Sequence, residues 1–351
     1  MRPLTVLLVA YPLAPVGRDT VGGAEQILAA LDDALARAGH RSIVVACAGS
    51  RVAGRLVATP APAGPLDEAA RAAARARHRA ALEETIARDA PDLVHMHGLD
   101  FHECLPPPGV PVLATLHLPP AWYPPEALRP DRPRTYLNCV SAAQHRCCPA
   151  GPALLPPIEN GVPVHRFDAR VRRRGFALAL GRICPEKGFH LALDAARLAG
   201  APLLLGGQVY PYPAHEEYFR TEIRPRLDRR RRFLGPLPFH RKRRLLAAAR
   251  CLLAPSLAPE TSSLAAMEAL AAGTPVVAFR SGALAEIVEH GTTGFLVDDV
   301  HTMAEAIRAA HTLDPEACRA AARERFSEER MTREYLELYE RIARGEPRAP
   351  A

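Results

Sequence analysis

Two glutamates beside the start of a predicted helix are the residues best placed for chemistry. Glu260 lies in a loop, and Glu268 follows eight residues later within a helix predicted over 262–272. The free N–H groups and the positive dipole end of a helix N-terminus favour an anion such as a diphosphate. Glu268 could accept hydrogen bonds from ribose hydroxyls, and Glu260 could reach a transferred sugar. The alternative is that the pair is one loop residue and one helix-surface residue without a shared role.

A second cluster of charged residues follows a strand predicted over 176–180. The sequence there reads Gly181-Arg182-Ile183 and then Glu186-Lys187-Gly188, again at a transition from strand through loop to helix. Fixed cations such as Arg182 and Lys187 stabilise the negative charge that develops on a departing nucleoside diphosphate. A solvated cationic turn is the open alternative for this segment.

Three further features are weaker indications of a ligand site. Gly22 and Gly23 precede a predicted helix, where glycine permits close backbone approach to a ligand. His117 ends a predicted strand, although an ordinary hydrogen-bonded loop histidine fits the sequence equally well. His95 and His97 could form a metal pair only if a carboxylate joined them, so we expect them to line a pocket.

Motifs of several other enzyme classes are missing from the sequence. The chain contains no G-x-G-x-x-G and no G-x-x-x-x-G-K-[ST], which removes the main support for a dinucleotide oxidoreductase or a P-loop enzyme. No D-x-D occurs either, and the adjacent Asp298 and Asp299 indicate a turn. We therefore expect no metal-dependent donor site.

Apolar runs that alternate with helical patterns must position these residues. The first half predicts strands over 4–10, 42–48, 93–97, 110–116 and 136–140, with helices over 24–38 and 67–88. After a basic turn at 170–175, the second half predicts strands over 176–180, 202–205, 232–234, 251–254, 275–279 and 294–297. Its helices are predicted over 189–198, 217–227, 241–249, 262–272, 283–290, 302–311, 315–325 and 328–344. Such alternation is typical of two doubly wound domains with parallel sheets.

The bulk composition fits a globular protein of two domains. The 351 residues exceed the size at which one core usually stops growing. Hydrophobic residues at 48% and charged residues at 24% exclude wholesale disorder. The net charge of +7 suits an anionic partner but does not choose between nucleic acid, anionic lipid and a nucleotide diphosphate. Lys187 and Lys242 are the only lysines among the 45 lysines and arginines.

The cysteines and the first residues bear on where the protein works. Eight cysteines are scattered without a C-x-x-C pair, which indicates reduced, mostly buried thiols rather than a disulfide framework or a zinc ribbon. The apolar run within 1–10 is too short for a signal peptide or a membrane span. We expect a cytoplasmic protein with no integral membrane segment.

Several motifs together closely resemble the family-4 glycosyltransferases. They are Pro259-Glu260 through Glu268, Ala271-Ala272-Gly273-Thr274-Pro275-Val276-Val277, Glu286-Ile287-Val288 and Gly291-Thr292-Thr293-Gly294-Phe295-Leu296-Val297. Gly22-Gly23, Asn160-Gly161-Val162, Gly181-Arg182, Glu186-Lys187-Gly188, the run 203–207 and Phe233-Leu234-Gly235 occur in the family's order. The resemblance spans nearly the whole chain.

The resemblance implies an α/β protein with the GT-B fold, in which two Rossmann-like, doubly wound domains enclose an interdomain cleft. We expect an acceptor-side domain over 1–165 and a nucleotide-sugar-binding domain over 166–327. A C-terminal helix and tail over 328–351 are expected to return to the first domain.

The resemblance also implies an activity and the residues that serve it. The expected reaction is retaining transfer of a hexose, with UDP-glucose the favoured donor and a hydroxyl of a small molecule as acceptor, without an obligatory metal or a further cofactor. By the family pattern the catalytic residues are Glu260, His117, Arg182 and Lys187. The donor-binding residues are Gly22, Gly23, Arg182, Lys187, Leu237, Glu260, Thr261, Ser262, Ser263, Leu264 and Glu268.

Two details refine this expectation. Many family members carry Phe-Gly-Leu after the first glutamate, where this chain has Thr261-Ser262-Ser263-Leu264, so the phosphate contacts of the first helical turn differ. The N-terminal segments at 11–16 and 22–26 look like those of a subgroup that includes pterin glucosyltransferases.

Other functions remain as alternatives. Nucleic-acid binding could use the arginines within 229–232 and 241–244. Solvated faces of a strand and a helix are the usual explanation for such arginines and no recognition motif is present, so we expect no nucleic-acid partner. A phosphorylase would need a pyridoxal-binding lysine, for which Lys187 and Lys242 are the candidates. A sugar-nucleotide epimerase is the remaining alternative, and the sequence does not predict the oligomeric state.

Overall fold

The chain forms two compact units. A computed structural model describes residues 2–61, 67–169 and 171–347. Unit 1 combines Met1–Glu159 with Met331–Ala351, and unit 2 is Asn160–Arg330. The sequence analysis predicted the domain boundaries after residues 165 and 327. Met1, Arg170 of the predicted basic turn, and 348–351 of the predicted tail lie outside the described residues.

Unit 1 is built on one parallel sheet. Its strands are β1 (Thr5–Val9), β2 (Arg41–Cys47), β3 (Arg55–Thr59), β4 (Leu93–Met96), β5 (Val112–Leu116) and β6 (Thr135–Cys139). Within the described residues their order across the sheet is β3-β2-β1-β4-β5-β6. The helices of this part of the chain are α1 (Gly23–Arg37), α2 (Glu68–Asp89) and α3 (Ala142–Arg146).

Unit 2 repeats this plan. Its strands are β7 (Ala177–Leu180), β8 (Leu203–Gly206), β9 (Arg231–Phe233), β10 (Cys251–Ala254), β11 (Val276–Phe279) and β12 (Gly294–Val297). Its helices are α4 (Val164–Phe167), α5 (Phe189–Leu198), α6 (Pro213–Tyr218), α7 (Phe239–Ala248), α8 (Leu264–Ala271), α9 (Leu284–Ile287), α10 (Val300–Ala309) and α11 (Pro315–Arg325). The last helix, α12 (Glu328–Arg344), begins at the end of unit 2 and belongs to unit 1 from Met331 onward. The sheet order among the described residues is β12-β11-β10-β7-β8-β9, again all parallel.

Each of the two sheets has a topological switch point. Strand order reverses between β1 and β4 in unit 1, and between β7 and β10 in unit 2. In open α/β sheets of this kind, ligands bind beyond the carboxyl ends of the strands at the switch point. In unit 2 a ligand site is therefore expected at the loops after β7 and β10. The predicted pair of doubly wound α/β domains is confirmed.

The apolar runs form strands because both faces of each sheet are covered. Nearly every residue of β1, β2, β4 and β5 is buried, as expected for parallel strands between helical layers. Helix α12 runs from unit 2 into unit 1 and buries Met331, Tyr335, Leu338, Tyr339 and Ile342 along one face. That spacing follows the 3.6-residue period of a helix with one apolar face.

Two predictions of local structure were wrong. The helix predicted over 217–227 begins earlier, at Pro213, and after Tyr218 it widens over Phe219–Ile223 before a tight turn at Arg224–Arg226. Proline suits the first turn of a helix but interrupts its interior, which explains both the early start and the end near Pro225. The sequence analysis also missed β3, a half-buried edge strand whose apolar run is only Leu56, Val57 and Ala58.

All eight cysteines are free thiols, and six of them are buried. Among the described residues, no helix combines the length and the apolar character that a membrane span requires.

Candidate functional site

The loops after β7 and β10 are locked together by their backbones. Leu257 donates its N–H to the carbonyl of Glu186 at 2.8 Å. Gly188 has a φ of +61°, and a Cβ placed on it would lie 2.2 Å from the carbonyl oxygen of Pro255. Only glycine permits this approach, since the left-handed backbone and the contact both exclude a side chain. The two loops at the switch point of unit 2 therefore form one continuous surface.

Lys187 and Glu260 meet on that surface. Lys187 Nζ lies 2.6 Å from Glu260 Oε1, although the residues are 73 positions apart. Ser256 Oγ donates to the same carboxylate oxygen. The side chains of Lys187 and Glu260 are 25% and 11% exposed, so the ion pair is partly withdrawn from solvent. Within the described residues Glu260 Oε2 accepts no hydrogen bond, and the ammonium of Lys187 retains two further donors.

The backbone of Glu260 is fixed from the other side. Ala283 donates its N–H to the carbonyl of Glu260 at 2.8 Å. Gly282 has a φ of +55°, and a Cβ on it would lie 2.2 Å from that carbonyl oxygen. The loop that carries the carboxylate is thus held rigidly between the strand ends and α9. A preorganised carboxylate of this kind loses little freedom when it binds a ligand.

The start of α8 offers hydrogen-bond donors next to this ion pair in sequence. Ser263 is the N-cap, and its hydroxyl accepts the N–H of Ala266 at 3.4 Å. The hydroxyl oxygen of Ser262 is buried and has no hydrogen-bond partner among the described residues. Buried hydroxyls in native proteins are nearly always satisfied, so an orphaned one at a helix N-terminus indicates a missing partner. An anion is the partner that this end of a helix favours.

Glu268 forms the second carboxylate–lysine pair. Its Oε1 lies 2.5 Å from Lys242 Nζ, and its side chain is only 6% exposed against 20% for the lysine. The ammonium also lies 5.9 Å and 5.8 Å from the ring centroids of Phe167 and Phe239. Glu268 is therefore not an ordinary helix-surface residue. Both lysines of the chain are used to neutralise the two glutamates that the sequence singled out.

Arg182 and Leu237 lie on the same edge of the unit 2 sheet. Arg182 is half-buried just after β7. The strand ends pack closely, because Gly207 donates its N–H to Gly235 at 3.0 Å and a Cβ on Gly207 would lie 1.8 Å from Gly181 O. Leu237 lies against the end of β8, where a Cβ on Gly206 would come within 2.5 Å of Leu237 Cδ1. The loops after β7, β8 and β9 thus lie side by side.

In unit 1, His117 is the end of a histidine cluster. His117 Nε2 lies 2.9 Å from His97 Nδ1, and the rings of His97 and His95 are 4.0 Å apart. The N–H of His117 donates to the Tyr123 hydroxyl at 3.1 Å. Burial lowers the pKa of His117 to about 4 and holds those of His95 and His97 well below their usual value. These imidazoles are therefore neutral at physiological pH.

A buried polar network extends from this cluster to α12. His95 Nδ1 lies 2.7 Å from the Tyr339 hydroxyl, and His95 Nε2 lies 2.7 Å from Thr115 Oγ1. Tyr335 donates to Asn138 Oδ1 at 2.7 Å. Sequence reasoning missed Thr115, Asn138 and the two tyrosines. Their signal is a polar residue at the last positions of otherwise apolar strands, together with tyrosines on the apolar face of the last helix.

Gly22 and Gly23 begin α1 as predicted, with Gly22 as the N-cap. A Cβ on Gly22 would lie 1.8 Å from Glu25 Oε2, so a carboxylate of the helix's own first turn folds over the glycine. A negative charge already occupies the position that a phosphate would take at this helix end. Phosphate binding at Gly22 and Gly23 would require the Glu25 side chain to turn away.

The chain is similar to known glycosyltransferases. The family model described as Glycosyltransferase Family 4 matches residues 21–150, and the model described as Glycosyl transferases group 1 matches residues 175–312. A D-inositol 3-phosphate glycosyltransferase of Corynebacterium efficiens is 37% identical over 148 residues, which are 40% of this chain and 33% of that protein. The chain thus spans about a third of the length of this curated relative.

Solved structures resemble the chain over almost its entire length. A glycosyltransferase of avilamycin A biosynthesis is 25% identical with a TM-score of 0.72, covering 98% of this chain and 99% of the other. The Anabaena protein HepE, solved in complex with UDP-glucose, is 20% identical with a TM-score of 0.72, covering 95% and 98% of the two chains. Since the two family models together match residues 21–150 and 175–312, and these solved structures share the fold over nearly the whole chain, this chain belongs to the family-4 glycosyltransferases with the GT-B fold.

Proposed function

We propose that the protein transfers a hexose, with retention of anomeric configuration, from a nucleoside diphosphate sugar to a hydroxyl of a small-molecule acceptor. UDP-glucose is the favoured donor, and support for it comes from HepE, whose structure contains UDP-glucose. The observation that carries the proposal is the 2.6 Å contact of Lys187 with Glu260 at the switch point of unit 2. It joins a cation suited to a diphosphate with a carboxylate suited to sugar hydroxyls.

The proposed donor site follows the charges along these loops. Lys187 and Arg182 bind the diphosphate, and the unpaired hydroxyl of Ser262 donates to a phosphate oxygen at the N-terminus of α8. Glu260 accepts hydroxyls of the sugar, and Glu268 accepts those of the ribose. Backbone groups of Leu237 contact the base. All of these residues except Glu268, which lies on α8, are in loops that follow strands of the unit 2 sheet.

In the proposed reaction, the bond between the anomeric carbon and the diphosphate oxygen breaks on the same face on which the acceptor hydroxyl attacks. The acceptor proton passes to an oxygen of the leaving phosphate. Lys187 and Arg182 stabilise the charge that develops on the diphosphate, so their fixed positions lower the barrier without a requirement for a metal ion. His117 of unit 1, the remaining catalytic residue that the family resemblance implies, supplies an imidazole that is neutral at physiological pH.

Calorimetric titration of the full chain with a panel of UDP-, GDP- and ADP-sugars tests this proposal. We expect selective binding of one donor, and Glu268→Gln should weaken it at least about tenfold, because a charged hydrogen bond is lost. Glu305→Gln is the matched control, since Glu305 is exposed on α10. Equal affinity of Glu268→Gln and wild type for the donor would remove Glu268 from the site.

Analysis of the product then identifies the reaction. Proton NMR of the product formed from the donor and candidate acceptors should show an anomeric coupling that matches the donor's configuration. A product with the opposite configuration would exclude retention. An altered nucleotide sugar formed in the absence of any acceptor would indicate an epimerase instead.

A further inference from the structure

Three side chains outside the proposed donor contacts converge on one point of unit 2. A ligand atom from each of Cys184, Glu186 and His215 lies within 4.8 Å of those of the other two. Cys184 and Glu186 belong to the loop after β7, and His215 lies on α6, after β8. These strands are parallel neighbours, and Ile183 donates its N–H to Gln208 O at 3.0 Å, so the loops leave the same edge side by side.

His215 has a nitrogen without a partner. Its Nδ1 is buried and makes no hydrogen bond among the described residues. The ring is fixed by edge contacts with Tyr212 and Tyr210, at centroid distances of 5.2 Å and 6.4 Å. A buried polar atom that forgoes its hydrogen bond costs free energy unless another ligand satisfies it. The imidazole is thus held in place with a nitrogen available for a bond.

The loop after β7 holds the other two groups rigidly. Cys184 is 1% exposed, and its thiol points back to the carbonyl of Arg182 at 3.6 Å. The main chain of Glu186 is fixed by the hydrogen bond from Leu257 to its carbonyl. Pro185 between them restricts the backbone further. The site is therefore largely preorganised on the loop side.

The donor types identify the ligand. Sulfur, imidazole nitrogen and carboxylate oxygen form the mixed set that zinc-type ions bind, whereas magnesium and calcium prefer oxygen ligands only. A thiolate and a carboxylate also balance the two charges of such an ion.

We propose that Cys184, Glu186 and His215 bind one divalent transition-metal ion of the zinc class, with water completing a tetrahedral site. The thiol proton of Cys184 passes to solvent as the bond to the ion forms. The ion links the loop after β7 to α6 and so steadies the segment that ends in Lys187. It takes no part in the proposed transfer step.

Cobalt titration of the full, reduced chain without a polyhistidine tag tests the site after chelator treatment. Wild type should bind one Co²⁺ per chain with a near-ultraviolet thiolate-to-cobalt charge-transfer band, and Zn²⁺ should displace it. Cys184→Ser should abolish that band. His215→Gln should keep sulfur ligation but weaken affinity at least about tenfold, the lower end of losses even for outer-shell changes.

Matched controls separate this site from other thiols and imidazoles. Cys147→Ser and His301→Gln change exposed residues and should leave the band and the affinity unchanged. Circular dichroism checks that each variant is folded. If Cys184→Ser is unstable, His215→Gln tests the site instead, because His215 is only partly buried. The proposal is overturned if wild type shows no charge-transfer band, or if His215→Gln binds cobalt as tightly as wild type does. It is also overturned if folded Cys184→Ser keeps the band or if Cys147→Ser loses it. Donor binding is measured separately, so this outcome is independent of the proposed transfer activity.

Discussion

The two units use the same strand order but place different chemistry at the carboxyl edges of their sheets. In unit 2 that edge carries ion pairs, Lys187 with Glu260 and Lys242 with Glu268. In unit 1 it carries His95, His97 and His117, which burial keeps neutral. One topology therefore supports a charged surface in one unit and an uncharged polar cluster in the other.

The difference has a physical cause in what packs against each edge. In unit 1, Tyr335 and Tyr339 of α12 cover the polar ends of β4, β5 and β6, so charged groups there would lose their hydration. In unit 2, glycines bring loop backbones into contact and leave the side chains of Lys187 and Glu260 partly exposed. The strand order thus determines where a site lies, whereas the loops and the covering helices determine its charge.

Replacing Lys187 by alanine should give the largest loss of activity. The change removes a fixed cation from the proposed diphosphate site, and loss of one preorganised donor typically lowers kcat by about 10²–10³. Steady-state kinetics with the donor identified by titration measure the effect. His117→Ala in unit 1 should cost less, because a neutral imidazole stabilises less charge.

Arg220→Ala is the control for Lys187→Ala. Arg220 is an exposed cation of unit 2 that pairs with Glu217, so its loss changes net charge equally without touching the switch point. Its kcat should equal that of wild type. Similar losses in Arg220→Ala and Lys187→Ala would show that overall charge, rather than the position of Lys187, determines the rate.

The Lys242–Glu268 pair separates stability from donor binding. Lys242→Met leaves Glu268 buried without its cation and should lower the free energy of unfolding by about 3 kcal/mol. The double variant Lys242→Met/Glu268→Leu should recover much of this loss, because an apolar pair replaces the buried charges. Urea denaturation measures stability, and calorimetry measures donor affinity in parallel.

Donor affinity is the discriminating measurement for this pair. Both Glu268→Leu and the double variant should bind the donor weakly, even where stability returns. Recovery of donor affinity in the double variant would mean that Glu268 serves only the packing of α7 against α8.

Sequence patterns predicted most of the architecture because parallel strands require long apolar runs between helices. Eleven of the twelve described strands correspond to predicted strands, whereas β3 was missed because it is a half-buried edge strand whose apolar run is only three residues long. The bounds of α6 were missed because hydrophobic periodicity detects neither the helix start at Pro213 nor the widened turn at Phe219–Ile223.

The candidate site was predictable in its members but not in its contacts. Position at a strand end singled out Lys187 and Glu260, but their pairing spans 73 residues and depends on loop packing around Gly188. Lys242 stood out only as a rare lysine, and its pairing with Glu268 needs two helices in contact. The sequence left the role of the segment with His215 open, because its relation to Cys184 appears only once β7 and β8 are neighbours.

Acid should destabilise unit 1 through its neutral histidines. The pKa of His117 is about 4 in the folded chain against 6.5 ordinarily, so the unfolded chain takes up the proton first as pH falls. The contribution of each such histidine to the free energy of unfolding is therefore fully present above about pH 6.5. It is lost as the pH falls toward about 4, by up to about 1.4 kcal/mol per pH unit. His78, also at about 4, adds to the effect.

The single tryptophan makes this measurable in unit 1. Trp122 lies beside Tyr123, whose hydroxyl holds the N–H of His117. Urea denaturation followed by its fluorescence at about pH 7.5 and about pH 5 should give a smaller difference in His117→Gln than in wild type. An equal pH dependence in the two proteins would assign the effect to other groups, such as carboxylates in salt bridges.

The smallest expected effect belongs to Ser262, and it has opposite signs in the free and bound protein. Removing the buried, unpartnered hydroxyl in Ser262→Ala should leave the free chain as stable or slightly more stable. Donor affinity should fall about 2- to 10-fold, the value of one hydrogen bond. Ser281→Ala is the contrasting control, because Ser281 Oγ already donates to Ala258 O at 2.9 Å, so its loss should lower stability without changing donor affinity. If Ser262→Ala lowers stability and leaves donor affinity intact, its hydroxyl has an internal role and the N-terminus of α8 is not the phosphate site.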